Sequence, residues 1–116
     1  MPTWEDVVAI GTALPETEES TWFRAPSLKV KGKGFARLRS EAEGGVVLFC
    51  DHEEKAALLE SGDPAFYTTP HYDGYPTILV NLDHIDRDIL EEMVVESWRQ
   101  KAPAKLLRQF DAEREA

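Results

Sequence analysis

Apolar residues recur at helical spacing in three parts of the chain. The first such segment follows Thr3, an N-cap residue, and stops before Pro15, which cannot continue a helix. A second helix is predicted to begin after Asp51, and the longest helix after Asp86. Pro103 breaks the third segment and leaves only an amphipathic turn or two around residues 106–110. The sequence therefore predicts three main helices and a short C-terminal one.

Runs of apolar and β-branched residues predict the strands. The predicted strands cover residues 21–23, 27–30, 35–39, 46–50 and 77–82. The run at 46–50 is apolar throughout, which is typical of a central strand. A Lys-Gly-Lys-Gly turn at 31–34 joins two strands into a hairpin. Residues 16–20 are predicted to be a polar linker, and residues 68–75 a loop.

This order of elements predicts one α+β domain over residues 1–116, with a single, mostly antiparallel sheet and helices packed on one face. The opposite face must then carry polar residues or meet a partner. Strand alternation places Phe35 on the same face as Arg37 and Arg39, unless a β-bulge turns it inward. The sequence leaves both possibilities open.

Composition and targeting signals exclude several classes of protein. No apolar run approaches the length of a membrane span, and the N-terminus lacks the order of a signal peptide. Cys50 is the only cysteine, so an internal disulfide and a four-thiolate zinc site are ruled out. Because it follows an apolar run, Cys50 is expected to be a buried, inert thiol. We expect a soluble, cytoplasmic and monomeric protein.

Charge is distributed unevenly along the chain. The net charge is −9, yet residues 24–39 carry six positive charges and no acid, so the rest of the chain carries −15. This basic segment predicts a surface for nucleic-acid phosphates, although the acidic remainder makes DNA binding weak. The candidate contacts are Arg24, Lys29, Lys31, Lys33, Arg37 and Arg39. The alternative is a solvated hairpin face whose lysines oppose edge-to-edge aggregation.

The loop that ends at Pro76 contains the other candidate chemistry. His71, Tyr72, Asp73 and Tyr75 could bind a small ligand or another protein. The alternative is a turn shaped by proline and glycine, with aromatic rings covering the edge of the core. His71 and Asp73 give only two metal ligands at a spacing that no common metal motif uses. We therefore predict no metal, no cofactor and no catalytic residue, that is, a protein that is not an enzyme.

Several short segments together resemble a known family. They are Leu14-Pro15 with Glu18-Glu19, Leu28-Lys29-Val30 with Gly32-Lys33, Phe35-Ala36-Arg37-Leu38, Asp51 through Leu59, Thr69-Pro70-His71-Tyr72 with Gly74-Tyr75-Pro76, Leu79-Val80 with Leu82-Asp83, and Ser97-Trp98 with Ala102-Pro103 and Leu106. Over about residues 7–108 the chain resembles the MmcQ/YjbR family of small bacterial proteins. The block around His71 is the most specific part. At Thr77 the resemblance leads us to expect a larger apolar residue.

The resemblance implies a frataxin-like (CyaY-like) α+β fold. The family is described as DNA-binding because its topology is like that of a double-wing DNA-binding domain, which is an analogy of fold. It supplies no catalytic residues. Two functional hypotheses follow, DNA binding through the basic hairpin, and ligand or protein binding through the 68–76 loop and the sheet face beside it. A third, metal handling on the acidic first helix, is implied only by the likeness to frataxin.

Overall fold

A computed structural model describes residues 2–22, 24–39 and 45–115. Its strands are β1 (Thr17–Trp22), β2 (Ala25–Val30), β3 (Lys33–Leu38), β4 (Val46–Phe49), β5 (Phe66–Tyr67) and β6 (Thr77–Val80). Its helices are α1 (Trp4–Thr12), α2 (His52–Glu60), α3 (Arg87–Lys101) and α4 (Ala104–Glu115), with a 3₁₀ turn at Leu82–His84. The strands form one sheet in the order β1-β2-β3-β4-β6-β5, and every neighbouring pair is antiparallel. The predicted α+β class with a single antiparallel sheet is confirmed.

Two strands differ from the prediction. The predicted polar linker at 16–20 is wrong, because Thr17–Trp22 pairs along its whole length with β2 as an edge strand. Polar side chains suit an edge strand, since they discourage pairing with other molecules. Phe66–Tyr67 forms a second edge strand of only two residues beside β6, too short to show a period in the sequence.

The hairpin turn is tighter than predicted. Val30 pairs with Lys33, so only Lys31 and Gly32 form the turn, with φ of +50° and +82°. Positive φ at both central residues is the geometry of a type I′ turn, which matches the twist of the flanking strands. Glycine takes this conformation without steric cost.

The helices begin and end largely as predicted. Thr3 and Asp6 form a reciprocal capping box at the start of α1. The Asp51 carboxylate accepts a hydrogen bond from the Glu54 backbone N–H at 2.8 Å, whereas Asp86 makes no side-chain capping bond. The last helix is longer than predicted and continues to residue 115. In the described part of the chain, no helix has the length and apolar character needed to cross a bilayer.

The hydrophobic core lies between the sheet and helices α1 and α3. One register row of this face crosses four strands, each of its residues is buried, and it comprises Leu28, Ala36, Leu48 and Ile78. Trp98 of α3 is fully buried, and its indole N–H donates to the Pro15 carbonyl at 3.2 Å. A Cβ on Gly11 would overlap the Leu28 side chain, so this glycine allows α1 to approach the sheet closely, as its position on the apolar face of the helix predicts.

A β-bulge turns Phe35 into the core. Leu28 pairs with Ala36 while Lys29 pairs with Gly34, which leaves Phe35 as the extra residue of β3. Both Phe35 and Ala36 are fully buried. Of the two arrangements that the sequence left open, the structure adopts the one with the bulge.

Candidate functional site

The sheet face opposite helices α1 and α3 is only partly polar. One register row crosses five strands on this face and comprises Ser27, Arg37, Val47, Leu79 and Tyr67. Val47 and Leu79 are buried although the core cluster does not include them. The loop at 68–76 lies against this face, where Tyr72 contacts Arg37.

A cleft of about 960 Å³ lies between this loop and the sheet. We call it the sheet–loop cleft, and the residues that line it are Trp22, Arg37, Arg39, Val47, Phe49, Thr69, Pro70, His71, Tyr72, Tyr75 and Thr77. The size and the mainly apolar lining with a few polar groups are typical of small-molecule sites. None of these residues is an aspartate or a glutamate.

Aromatic rings form the walls of the cleft. The Trp22 and Phe49 rings are nearly parallel, with their centroids 6.2 Å apart and an interplanar angle of 9°. Trp22 lies over Gly34, where a Cβ would come within 2.8 Å of the indole. On the loop side, the His71 ring packs edge-on against Tyr72, with a centroid separation of 4.8 Å, and lies 6.3 Å from the Tyr75 ring. Flat surfaces therefore face the cleft from both sheet and loop.

Two arginines at the β3 side of the cleft contact tyrosines on its other side, one in the loop and one in β5. Arg37 donates from Nε to the Trp22 carbonyl at 3.1 Å and from Nη1 to the Tyr72 hydroxyl at 3.3 Å. Arg39 donates from Nη1 to the Tyr67 hydroxyl at 3.4 Å, and its guanidinium lies 6.0 Å from the centre of the Tyr72 ring. These contacts hold both guanidiniums at the cleft in defined orientations.

A buried lysine fixes the shape of the loop. Lys55 of α2 is 5% exposed, and its ammonium donates to three backbone carbonyls, those of Tyr72 at 2.6 Å, Asp73 at 3.2 Å and Tyr75 at 2.8 Å. An ammonium has three N–H donors, so the loop takes up its full capacity. Lys55 of α2 thus holds the loop, which forms one wall of the cleft, in a fixed position.

The six basic residues predicted to bind nucleic acid have different surroundings in the structure. Arg37 and Arg39 belong to the cleft. Lys31 forms an ion pair with Glu16 at 3.7 Å, and Lys29 lies opposite Glu18 in the sheet register. The remaining two, Arg24 and Lys33, are exposed. Because residues 17–22 form a strand, their acidic side chains are adjacent to the basic strand.

The loop candidates divide in a similar way. His71, Tyr72 and Tyr75 line the cleft, whereas Asp73 does not and contributes only a carbonyl to Lys55. The described residues contain no group of three or more histidine, cysteine or acidic side chains that could hold a metal. Burial, followed by the nearby carboxylates of Glu54 and Asp51, raises the pKa of Cys50 to about 11. This thiol is therefore almost entirely protonated at neutral pH, as expected for a core cysteine.

The sequence prediction included the sheet face beside the loop but did not identify its residues. Trp22, Val47, Phe49 and Thr77 were predicted as strand residues without a role in binding. Alternation places Arg37 on the polar face of its strand, but the all-apolar run at 46–50 has no alternation, so strand pairing is needed to place Val47 beside Arg37 and Thr77 beside Phe49.

Comparison with known proteins identifies the family. The family model of YjbR matches residues 12–100. The chain belongs to the YjbR family. The resemblance noted in the sequence is thereby confirmed.

Two relatives and a solved structure are similar to this YjbR-family chain. The chain is 34% identical to the uncharacterised proteins Rv2570 of Mycobacterium tuberculosis and Mb2600 of Mycobacterium bovis, over 95% of this chain and 96% of each relative. The crystal structure of Deinococcus radiodurans protein DR2400, with a DUF419 domain, superposes with a TM-score of 0.72 at 21% identity, covering 84% of this chain and 77% of that one. This structural likeness supports the fold.

Proposed function

We propose that this YjbR-family chain is a binding module that holds a flat, largely apolar small molecule in the sheet–loop cleft and catalyses no reaction. The observation that carries the proposal is the construction of the cleft, in which aromatic rings from the sheet and from the 68–76 loop face one space of about 960 Å³. Aromatic side chains provide contact area and stacking geometry for a planar ligand. Of the two hypotheses drawn from the sequence, this proposal develops the one in which the 68–76 loop binds a ligand.

The polar groups of the cleft favour binding over catalysis. Nucleophilic catalysis needs a nucleophile within hydrogen-bond reach of a base that a third group orients. The His71 ring contacts the rings of Tyr72 and Tyr75, and the Thr77 hydroxyl has no hydrogen-bond partner among the described residues. The Cys50 thiol is buried and has a pKa of about 11, which opposes a role as nucleophile.

A titration with a neutral planar probe tests the proposal. We expect 2-naphthylmethanol to shift the amide NMR signals of cleft residues in a saturable manner. Tyr75 is 57% exposed, so Tyr75→Ala should remove a ligand contact without loss of folding and weaken this binding severalfold. Leu59→Ala is the matched control, because Leu59 is also exposed and lies on α2 away from the cleft lining. Equal weakening by both variants, or the absence of saturable shifts in the wild type, would refute the proposal.

Duplex-DNA binding through the basic hairpin stays a prediction from the sequence. If about five hairpin cations contact phosphates, the logarithm of the affinity should fall against the logarithm of salt concentration with a slope near −4.5. Fluorescence anisotropy at low salt measures this slope, and an affinity unchanged by Lys31→Glu with Arg37→Glu would end the hypothesis. The frataxin-like and double-wing labels, the cytoplasmic location, the monomeric state and a protein partner likewise stay predictions.

A further inference from the structure

We infer that the sheet–loop cleft selects planar ligands that carry an anionic group, a carboxylate or a phosphate, at one end and a hydrogen-bond acceptor at the other. Arg37 and Arg39 receive the anion, and the Thr77 hydroxyl donates to the acceptor. This inference rests on the proposed function and adds the chemical class of the ligand.

The charge of the lining residues supports the anionic end. The described residues of the cleft include two guanidiniums and no carboxylate, in a chain whose net charge is −9. Aromatic walls beside the guanidiniums lower the local dielectric constant, which strengthens the attraction of an anion. The contacts of Arg37 and Arg39 with tyrosine hydroxyls hold each guanidinium plane, and a held plane suits bidentate contact with carboxylate or phosphate.

Thr77 provides an independent observation at the other end. It lines the cleft and is 4% exposed, and its Oγ1 has no hydrogen-bond partner among the described residues. A buried hydroxyl without a partner is unfavourable, and a ligand acceptor that reaches it would relieve this cost. The hydroxyl therefore marks a polar position in an otherwise aromatic part of the cleft, beside Phe49 in the register.

The sheet register sets the distance between the two ends. Thr77 lies two strands away from Arg37 and two residues further along, since Arg37 pairs with Val47 and Phe49 pairs with Thr77. At ordinary strand spacing and rise, their Cα atoms are about 12 Å apart. A body of two fused rings with polar groups at opposite ends has a length comparable with this span.

Three naphthalene probes test the inference by calorimetric or NMR titration. We expect 2-naphthoate to bind the wild type at least about tenfold more tightly than neutral 2-naphthylmethanol. Arg39→Gln should remove most of this advantage, because it should weaken the binding of 2-naphthoate much more than that of 2-naphthylmethanol. Saturable binding of 2-naphthylmethanol also shows that the variant is folded. Lys33→Gln removes a charge from the exposed first residue of β3 and should change neither affinity. A parallel titration with 2-naphthyl phosphate distinguishes phosphate from carboxylate as the preferred anion.

The probe 6-hydroxy-2-naphthoate tests the Thr77 end. Its distal hydroxyl should improve affinity about two- to tenfold over 2-naphthoate in the wild type and give no improvement in Thr77→Val. Equal affinities for naphthoate and naphthylmethanol, or equal weakening of both by Arg39→Gln, would overturn the inference and leave the binding-module proposal intact. A hydroxyl benefit that persists in Thr77→Val would overturn the assignment of Thr77. Failure of every probe to bind would refute the inference and the proposed function together.

Discussion

Replacement of Lys55 by methionine should both destabilise the protein and distort the cleft. The substitution keeps the length of the aliphatic chain and removes the ammonium, which donates to the carbonyls of Tyr72, Asp73 and Tyr75 at 2.6, 3.2 and 2.8 Å. Hydrogen bonds to a charged group contribute about 1.5–3 kcal/mol each. Their sum is an upper bound, because the folded state also bears the cost of removing the ammonium from water.

Relaxation of the loop reduces the expected loss further. Asp73 and Tyr75 are exposed residues, so their carbonyls can turn toward water once the loop rearranges. Tyr72 is half-buried and tied to Arg37, so its carbonyl is less able to do so. We therefore expect Lys55→Met to lower the free energy of unfolding by about 2–4 kcal/mol, near the range for a broken buried ionic contact.

Urea unfolding followed by tryptophan fluorescence measures this loss. Lys105→Met is the matched control, because Lys105 is an exposed residue of α4, where a surface substitution should change stability by no more than about 0.5 kcal/mol. The affinity of Lys55→Met for 2-naphthoate should fall as well, since Tyr72 and Tyr75 lose their fixed positions. If the two variants unfold at the same urea concentration, the carbonyls do not depend on Lys55, and its assigned role in shaping the loop is wrong.

Two further predictions concern stability. Ser97 is fully buried, and its hydroxyl donates to the Phe35 carbonyl and accepts from the Phe49 N–H at 2.8 Å. Ser97→Ala should therefore lower the free energy of unfolding by about 1–3 kcal/mol, as measured by urea unfolding. A decrease below about 0.5 kcal/mol would contradict the role of this hydroxyl as a bridge between the two strands. Arg99 and Asp111 form a two-bond ion pair at 2.6 and 3.2 Å, whose hydrogen bond lowers the pKa of Asp111 in the folded state. The stabilisation by this ion pair is therefore fully present above the ordinary aspartate pKa of about 3.9, and it is lost as the pH falls through the lower pKa of Asp111 in the folded state. The difference in stability between the wild type and Asp111→Asn should thus disappear in urea unfolding at low pH. A stability difference that does not depend on pH would refute this role of the ion pair.

The sequence predicts elements well where local chemistry decides them. The apolar run at 46–50 contains β4 (Val46–Phe49), a central strand between β3 and β6. Its first three residues are all buried, and apolar residues at consecutive positions are enough to predict this from the sequence. Thr3 with Asp6, and Asp51, cap helices through bonds within three residues. Gly11 on an apolar helix face likewise predicts close packing. In all these cases the deciding interaction is visible within one short segment.

Elements that depend on pairing with another strand escape prediction. Thr17–Trp22 has polar side chains at most positions, and its strand conformation comes from the ladder with β2. Phe66–Tyr67 is held by β6 in the same way. Three of the four loop candidates at 71–75 line the cleft, and their role in binding stays a prediction. The sheet residues of the cleft depend on the register between strands far apart in the sequence.

One inserted residue in β3 links the core to the cleft. Without the bulge, Phe35 would share a face with Arg37 and Arg39, and its ring would occupy the cleft. The bulge turns Phe35 inward, where its carbonyl accepts from Ser97, and the two arginines stay on the opposite face. The bulge also sets Gly34 where the absence of a Cβ makes room for the Trp22 indole. The cleft therefore exists because β3 changes register at this point, and substitutions that release the bulge from the core side should alter ligand binding on the other side of the sheet.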